Sequence, residues 1–517
     1  MKQNKNLVLT AMVFAVAMTF IDQTIVEIAI PNIERHLSLS TTGAQWVING
    51  YLLSLSALFA LGGKLADVLG RRRVLVIGVI GFALTSALCG LTPVGSAAET
   101  WLIVFRILQG ATAALLFPAA VGIVVASFPI AERGRAMAVF FGISGGLTAI
   151  GPIAGGFLIQ WTWRAIFWIN VPVAVIALIL IWLSKPANDR HPGRIDWRGA
   201  GLITGAMGLL ILGLQQSAQW GWGSVATWAC LAAGAAFMVV FVRCELNCPE
   251  PLLDLRIFRG REFTVDNFVL AAMSVVFVPF FFFASVYAQV SLAKSSSNAG
   301  IYILWFFLGF VIAAQVGGRM LDRRGARPPI VIGCALGAVG FWLLASRLTD
   351  LSLGKQIIEI MLAGAGLGLI LGPASTDAVN RAAHTSYSEV TGITQTTRNF
   401  GASVGLAVLG TILITSSRTN IATELANVGV PRARADRIAS SFSFSASSSG
   451  RAAHEPHRYV HAVQLAFAHS TQTVFQIMAA VMAVTFFVAV RFLKRGQPAV
   501  VQQEAAPVDG STLVTRT

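Results

Sequence analysis

Apolar residues in this chain arrive in unbroken runs of about 20, the length that crosses a bilayer as an α-helix. Such runs fall at roughly 8–30, 45–66, 74–92, 100–127, 136–159, 166–184, 199–217, 225–244, 264–290, 299–321, 328–347, 355–381, 390–415 and 468–492. A helix satisfies its own backbone hydrogen bonds in lipid, so the pattern predicts an all-α integral membrane protein with 14 transmembrane helices. The first run is longer than a signal-peptide core and lacks a small-residue cleavage pattern, so it is expected to be a retained helix.

Composition agrees: 55% of residues are hydrophobic, 12% are charged and the mean hydropathy is +0.71, far from the averages of soluble domains. A net charge of +15 raises the question of nucleic acid. Position answers it, because Lys and Arg concentrate in alternate turns, on one side of the membrane. That asymmetry predicts no nucleic-acid partner and two cytoplasmic termini. Cys89, Cys230, Cys244, Cys248 and Cys334 have no paired ligand spacing and are expected to be packing residues, with neither a disulfide nor a metal site.

One turn is written twice. Gly63-Lys64-Leu65-Ala66-Asp67-Val68-Leu69-Gly70-Arg71-Arg72-Arg73 has its counterpart in Gly318-Arg319-Met320-Leu321-Asp322-Arg323-Arg324-Gly325-Ala326-Arg327, again between two apolar runs. The repetition predicts a duplicated bundle: a six-helix half over 1–184, a linker and two extra helices over 185–262, a second six-helix half over 263–492, and a cytoplasmic tail over 493–517. The aromatic turn Gln219 to Ser224 suits a hairpin tip at the interface. Segment 416–467 is expected to be a long outer loop, with a short surface helix possible over 421–439. Equivalent turns on the same side make the halves parallel repeats, with a site between them near the midplane.

The first turn resembles the signature loop of the major facilitator superfamily. Phe105-Arg106-Ile107-Leu108-Gln109-Gly110 is similar to its helix 4 motif, and Gly151-Pro152-Ile153-Ala154-Gly155-Gly156 to its exporter motif. Ile21 to Val26 with Pro31, Trp163 to Pro172, and Thr396 to Gly401 are similar to the drug:proton antiporter branch with fourteen spans. The resemblance covers nearly the whole chain apart from 416–467 and the tail. It implies the major facilitator fold, a bacterial inner membrane and export of lipophilic, often cationic compounds.

An ionisable group inside a membrane helix costs roughly 2.5–3.5 kcal/mol on insertion scales and is by default a functional candidate. At about 1.5 Å of rise per residue, Asp22 and Arg106 lie on the order of 12 Å and 9 Å from the outer ends of their helices, at similar depth. Arg106 is expected to pair with Asp22, and a bound proton or cationic compound to weaken that pair and bias the bundle. The alternative is a permanent tie between helices. Glu27, where the family usually has asparagine, lies roughly 140° around the helix from Asp22. It is either a solvated rim acid or a second proton or substrate site.

Gly63, Asp67, Gly70, Arg71 and Arg72 are read as a gate whose charges pair across the inner face in one orientation and part in the other; Asp322 and Arg323 are its second copy. Gly151, Pro152, Gly155 and Gly156 predict close helix packing, and the resemblance adds a hinge. Asp22, Glu27, Phe280, Tyr287 and Arg398 are expected to line the substrate cavity, with Phe280 and Tyr287 alternatively facing lipid and Arg398 alternatively tying the bundles together. No phosphate loop GxxxxGK[ST] and no HExxH or GxSxG constellation occurs in the sequence. The expectation is therefore no enzyme, no cofactor, a proton gradient as energy source, and a monomer handling small molecules, protons and lipid. A single-metabolite carrier on the same scaffold and a membrane sensor are the alternatives.

Overall fold

The computed structural model describes residues 4–188, 195–249, 251–294, 296–381, 387–441, 457–494 and 496. The first half comprises α1 (Lys5–Leu37), α2 (Thr41–Leu69), α3 (Arg71–Gly90), α4 (Ala98–Ser127), α5 (Ile130–Leu158), α6 (Ala165–Trp168) and α7 (Asn170–Ser184). Then come α8 (Trp197–Trp220) and α9 (Val225–Asn247). The second half comprises α10 (Arg261–Val290), α11 (Ser296–Arg324), α12 (Arg327–Arg347), α13 (Ile357–Arg381), α14 (Tyr387–Asn427), α15 (Arg432–Ser441) and α16 (His457–Phe492). Among the described residues, 13 segments are long and apolar enough to cross a membrane, α6 with α7 being one. The 29-residue α5, some of whose side chains lie outside the described residues, covers the apolar run expected at 136–159.

Helices outrun their apolar cores because polar residues continue them toward the headgroups, with a side-chain cap where the chain turns. Ser40 Oγ accepts the Gly43 amide at 2.9 Å to start α2. Gly70, at φ +100°, makes the sharp passage from α2 to α3, a conformation that costs a residue with a Cβ. Pro172 has no amide to offer the turn before it, and the sixth span breaks at Ile169 into α6 and α7.

The halves repeat one packing plan. α2 on α4, α3 on α4 and α1 on α5 in the first are matched by α11 on α13, α12 on α13 and α10 on α14 in the second. The halves meet through two seams, α2 with α14 and α5 with α11. The α8–α9 hairpin rests on α2 and α14, and Trp222 at its tip donates from Nε1 to Thr411 Oγ1 on α14 at 2.8 Å.

The described part of segment 416–467 is largely helical and not the long loop expected: α14 runs unbroken to Asn427, α15 follows, and α16 has begun by His457, while 442–456 lie outside the described residues. Ile421, Leu425, Val430, Ala435, Ala439, Ala462 and Ala466 bury a small core of their own. The single surface helix anticipated over 421–439 is split instead, because Gly429 takes φ +90° and Pro431 follows.

Candidate functional site

Asp22 on α1 and Arg106 on α4 meet inside the first half, with 0% and 1% of their surfaces exposed. Arg106 Nη1 donates to Asp22 Oδ2 at 2.5 Å and to Gln109 Oε1 at 2.8 Å. Gln109 Nε2 donates to Asp22 Oδ1 at 3.0 Å, and Asn170 Nδ2 donates to the same oxygen at 3.3 Å. Arg106 Nε reaches the Val47 carbonyl on α2 at 2.9 Å, and its guanidinium lies 4.3 Å from the Tyr51 ring centroid. Asn170 stands where the sixth span breaks, and its amide also donates to Ser86 on α3 at 2.9 Å. One carboxylate thus ties helices from five spans. A buried network of this kind is stable only while its members are satisfied.

The network is sealed, which corrects one expectation: Asp22 does not line a cavity. Glu27, five residues further along α1, is exposed and within electrostatic range of Arg106. Of the two acids on α1, Asp22 is the one that Arg106 holds.

A second polar construction closes the end of the molecule where the repeated turns lie, called here the basic end. Asp67 Oδ2 accepts the Glu389 amide at the start of α14 at 3.0 Å. Arg71 Nε bridges Asp67 Oδ1 at 3.2 Å and Ser388 Oγ at 2.8 Å. Gly63 lies against the Ser388 carbonyl so closely that a Cβ would sit 2.6 Å from it. In the second copy, Asp322 accepts the amides of Gly134 and Arg135 near the start of α5, at 2.9 and 3.0 Å, and Gly318 lies against Gly134 and Ala138. Each repeated Asp thus holds the N-terminal region of a helix in the opposite half, where backbone amides and the helix dipole attract negative charge. The cations differ between copies. Arg71 is buried in the seam, Arg72 is half-buried and Arg323 is exposed at the surface, so the expected role of Arg323 in gating is not what the geometry uses. Its place is filled from α5: Arg133 donates to Asn380 Oδ1 at 3.2 Å and to the Tyr387 hydroxyl at 3.1 Å across the seam.

Gly151 and Gly155 seat α5 on α1 beside Asp22. A Cβ on Gly151 would lie 2.0 Å from Thr24 Oγ1, and one on Gly155 would lie 2.9 Å from Ile25. The side-chain surroundings of Pro152 and Gly156 lie outside the described residues. Gly151→Leu is expected to force α1 from α5 and lower stability by about 1–3 kcal/mol, the usual cost of overpacking. Thermal unfolding in detergent measures it, and an unchanged midpoint would show that α5 does not press on α1.

Phe280 and Tyr287 do not line a cavity either. Phe280 is fully buried and stacks on Phe306 with centroids 4.3 Å apart. The Tyr287 hydroxyl is buried, donating to the Leu348 carbonyl at 2.6 Å and accepting from Gln356 at 2.9 Å. Both face the core of the second half because their helix turns that side to α13 and α16. Arg398 is half-buried, donates to Gln395 Oε1 at 2.5 Å and lies 5.8 Å from the Phe141 ring of α5. Its guanidinium thus lies beside α5 of the opposite bundle.

Gln109, Asn170, Arg133, Asn380 and Glu389 are site residues that sequence reasoning passed over. The first was within reach: Gln109 follows Arg106 by three residues, which places both on one helix face. Asn170 owes its direction to the helix break, and Arg133, Asn380 and Glu389 matter only through partners in the other half.

Residues 12–406 match the family model of the Major Facilitator Superfamily. The tetracenomycin C resistance and export protein of Streptomyces glaucescens is 34% identical over 428 residues, covering 82% of this chain and 79% of that protein. The multidrug transporter protein MdtP of Bacillus subtilis is 31% identical, with 80% of this chain and 76% of the relative covered. The puromycin resistance protein of Streptomyces alboniger is also 31% identical, with 78% and 81% covered. Among solved structures, the proton:xylose symporter XylE matches with a TM-score of 0.59 at 12% identity over 95% of this chain and 96% of that one. The human organic anion transporter MFSD10 matches at 0.55 and 15% identity over 94% and 99%. At such identities the two structures speak for the fold, which is that of two six-helix bundles, here with two further helices between them. By family model, relatives and fold together, the chain belongs to the Major Facilitator Superfamily, a family of membrane transporters and not of enzymes.

Proposed function

We propose that this protein exports lipophilic, often cationic small molecules in exchange for protons, by alternating access, across a bacterial inner membrane. The basic end and both termini face the cytoplasm in this reading, as the distribution of Lys and Arg requires. The observation that carries it is the fully buried Asp22, held by Arg106, Gln109 and Asn170. Both oxygens already accept donors, so a proton can be placed on this carboxyl only if a donor withdraws. Withdrawal loosens the contacts among α1, α4 and α7, and that is how a proton from outside would bias the bundle. In this reading the exposed Glu27, five residues along the same helix, meets the proton or a cationic compound first. With the basic end closed, the state described is the one in which an exporter would release its cargo outward. Each proton returning inward supplies about 2.3 kcal/mol per 100 mV, and the relatives' names support drugs and antibiotics as the cargo.

Proton flux in proteoliposomes across a panel of cationic and neutral compounds tests the reading. The wild type is expected to move protons when a transported compound is added. Asp22→Asn, which keeps an acceptor for Arg106 but cannot ionise, is expected to lose at least about 90% of that flux, a barrier change of about 1.4 kcal/mol or more. Flux unchanged in Asp22→Asn would remove Asp22 from proton coupling. Flux for a single polar compound alone would favour a dedicated carrier.

A further inference from the structure

The second half contains a buried acidic pair that the exchange described above does not use. Asp266 on α10 and Asp377 on α13 are both 0% exposed. Arg381 Nε donates to Asp377 Oδ2 at 2.6 Å. Among the described residues, neither oxygen of Asp266 receives a donor, and Asp377 Oδ1 receives none. Yet the two carboxyl groups lie within hydrogen-bonding reach of each other. Two carboxylates only accept, so this contact becomes a hydrogen bond only when one of them carries a proton. The charges give the same answer. Two carboxylates and one guanidinium leave a net negative charge in a dry site, and one proton makes the group neutral.

Among the described residues, the surroundings offer no other neutralising partner. Glu262 on α10 faces the pair but is engaged by Lys494, just beyond α16. Asp322 on α11 is bound to the amides of α5, and Glu389 on α14 to Lys64 and the Asp254 amide. Arg327 on α12 turns to the Val490 carbonyl. Arg133 on α5 is spent on Asn380 and Tyr387. Asn380 lies between Asp377 and Arg381 on the last turn of α13, so the clasp that shuts the basic end grips the same helical turn that holds the pair.

We propose that Asp266 and Asp377 form a second proton-binding site, which holds one proton between the two carboxyl groups while the basic end is closed and yields it to water when that end opens. The proton leaves Asp266 for a water molecule drawn to Arg381, and the group then carries one net negative charge until it is reloaded. Asp22 in one half and this pair in the other would give the transporter two acidic stations, one in each repeat. The release step rests on the alternating-access reading; the occupancy does not.

Infrared spectroscopy of the purified full-length protein tests both without measuring transport. A protonated carboxyl in a dry site has a C=O stretch above the carboxylate bands. Asp266→Asn and Asp377→Asn are each expected to lose one such band, and Asp22→Asn to keep it. Two variants guard against one that fails to fold, and the amide of Asn at 266 can still donate to Asp377. In the wild type the band is expected to persist as the buffer is made alkaline. In Gly318→Leu, where even a Cβ lies 2.7 Å from the Gly134 carbonyl and α11 is driven from α5, the same titration should abolish it. Arg133→Ala, which removes the clasp on Asn380, should act likewise. A band indifferent to both acids overturns the site. A band that survives alkali in both opened variants overturns the release. Should no compound prove to be exported, the drug-export reading falls while these spectra still decide the proton.

Discussion

Arg106→Ala is expected to be among the most damaging single substitutions in the first half, costing about 3–5 kcal/mol, the usual result of leaving a buried charge without its partner. Asp22 has no exposed surface, and after the change only two neutral amides, from Gln109 and Asn170, remain to solvate it. The Val47 carbonyl also loses its side-chain donor. Asp22→Asn in the same chain removes the stranded charge, so the double variant should recover much of the loss. The coupling between the two positions should fall within the range of about 0.5–3 kcal/mol found for residues in one network. Arg106→Lys should rescue poorly, because one ammonium cannot serve Asp22, Gln109 and Val47 in the directions of a planar fork. Thermal unfolding in detergent reads all four proteins. Strictly additive losses in the double variant would mean that Asp22 and Arg106 do not act as a unit.

The second large effect concerns the balance between open and closed forms. Asp322→Ala removes the acceptor of two α5 amides, and Asp67→Ala removes the acceptor of one α14 amide and of Arg71. Hydrogen bonds to a charged group are worth about 1.5–3 kcal/mol each, and about 1.4 kcal/mol is a tenfold change in an equilibrium constant. One such bond is worth about 10- to 100-fold, and either substitution removes two, so the protein should shift toward opening at the basic end by about 100-fold or more. The two aspartates sit on different seams, so the double variant should shift it further. Spin-label distances between α5 and α11, and between α2 and α14, measure the shift. If the distances stay those of the closed form, the repeated aspartates do not hold the gate.

Much of this architecture was legible in the sequence. Run length and turn chemistry placed the spans, and helical rise alone put Asp22 and Arg106 at one depth. What hydropathy cannot do is tell a side chain facing lipid from one facing protein, since lipid tails are as apolar as leucine. That is why Phe280 and Tyr287, which belong to the core of the second half, were taken for cavity residues. Asp22 was expected in an open cavity because the donors that seal it, Gln109 and Asn170, come from directions set by another helix and by a break. Residues 416–467 read as a loop because Arg, Ser and Ala dilute the apolar signal, although Ile421 with Leu425 and Ala435 with Ala439 keep helical spacing. The pair of Asp266 and Asp377 is far apart in sequence and joined only by folding.

The α8–α9 hairpin makes the two seams unequal. It lies against both α2 and α14 and is pinned by Trp222 to Thr411, so it spans one seam like a strap, while among the described residues α5 and α11 have no such cover. The repeat is symmetric in its helices and lopsided at its flanks: one side is braced from the lipid, and the other is the bare flank along which the halves are free to part.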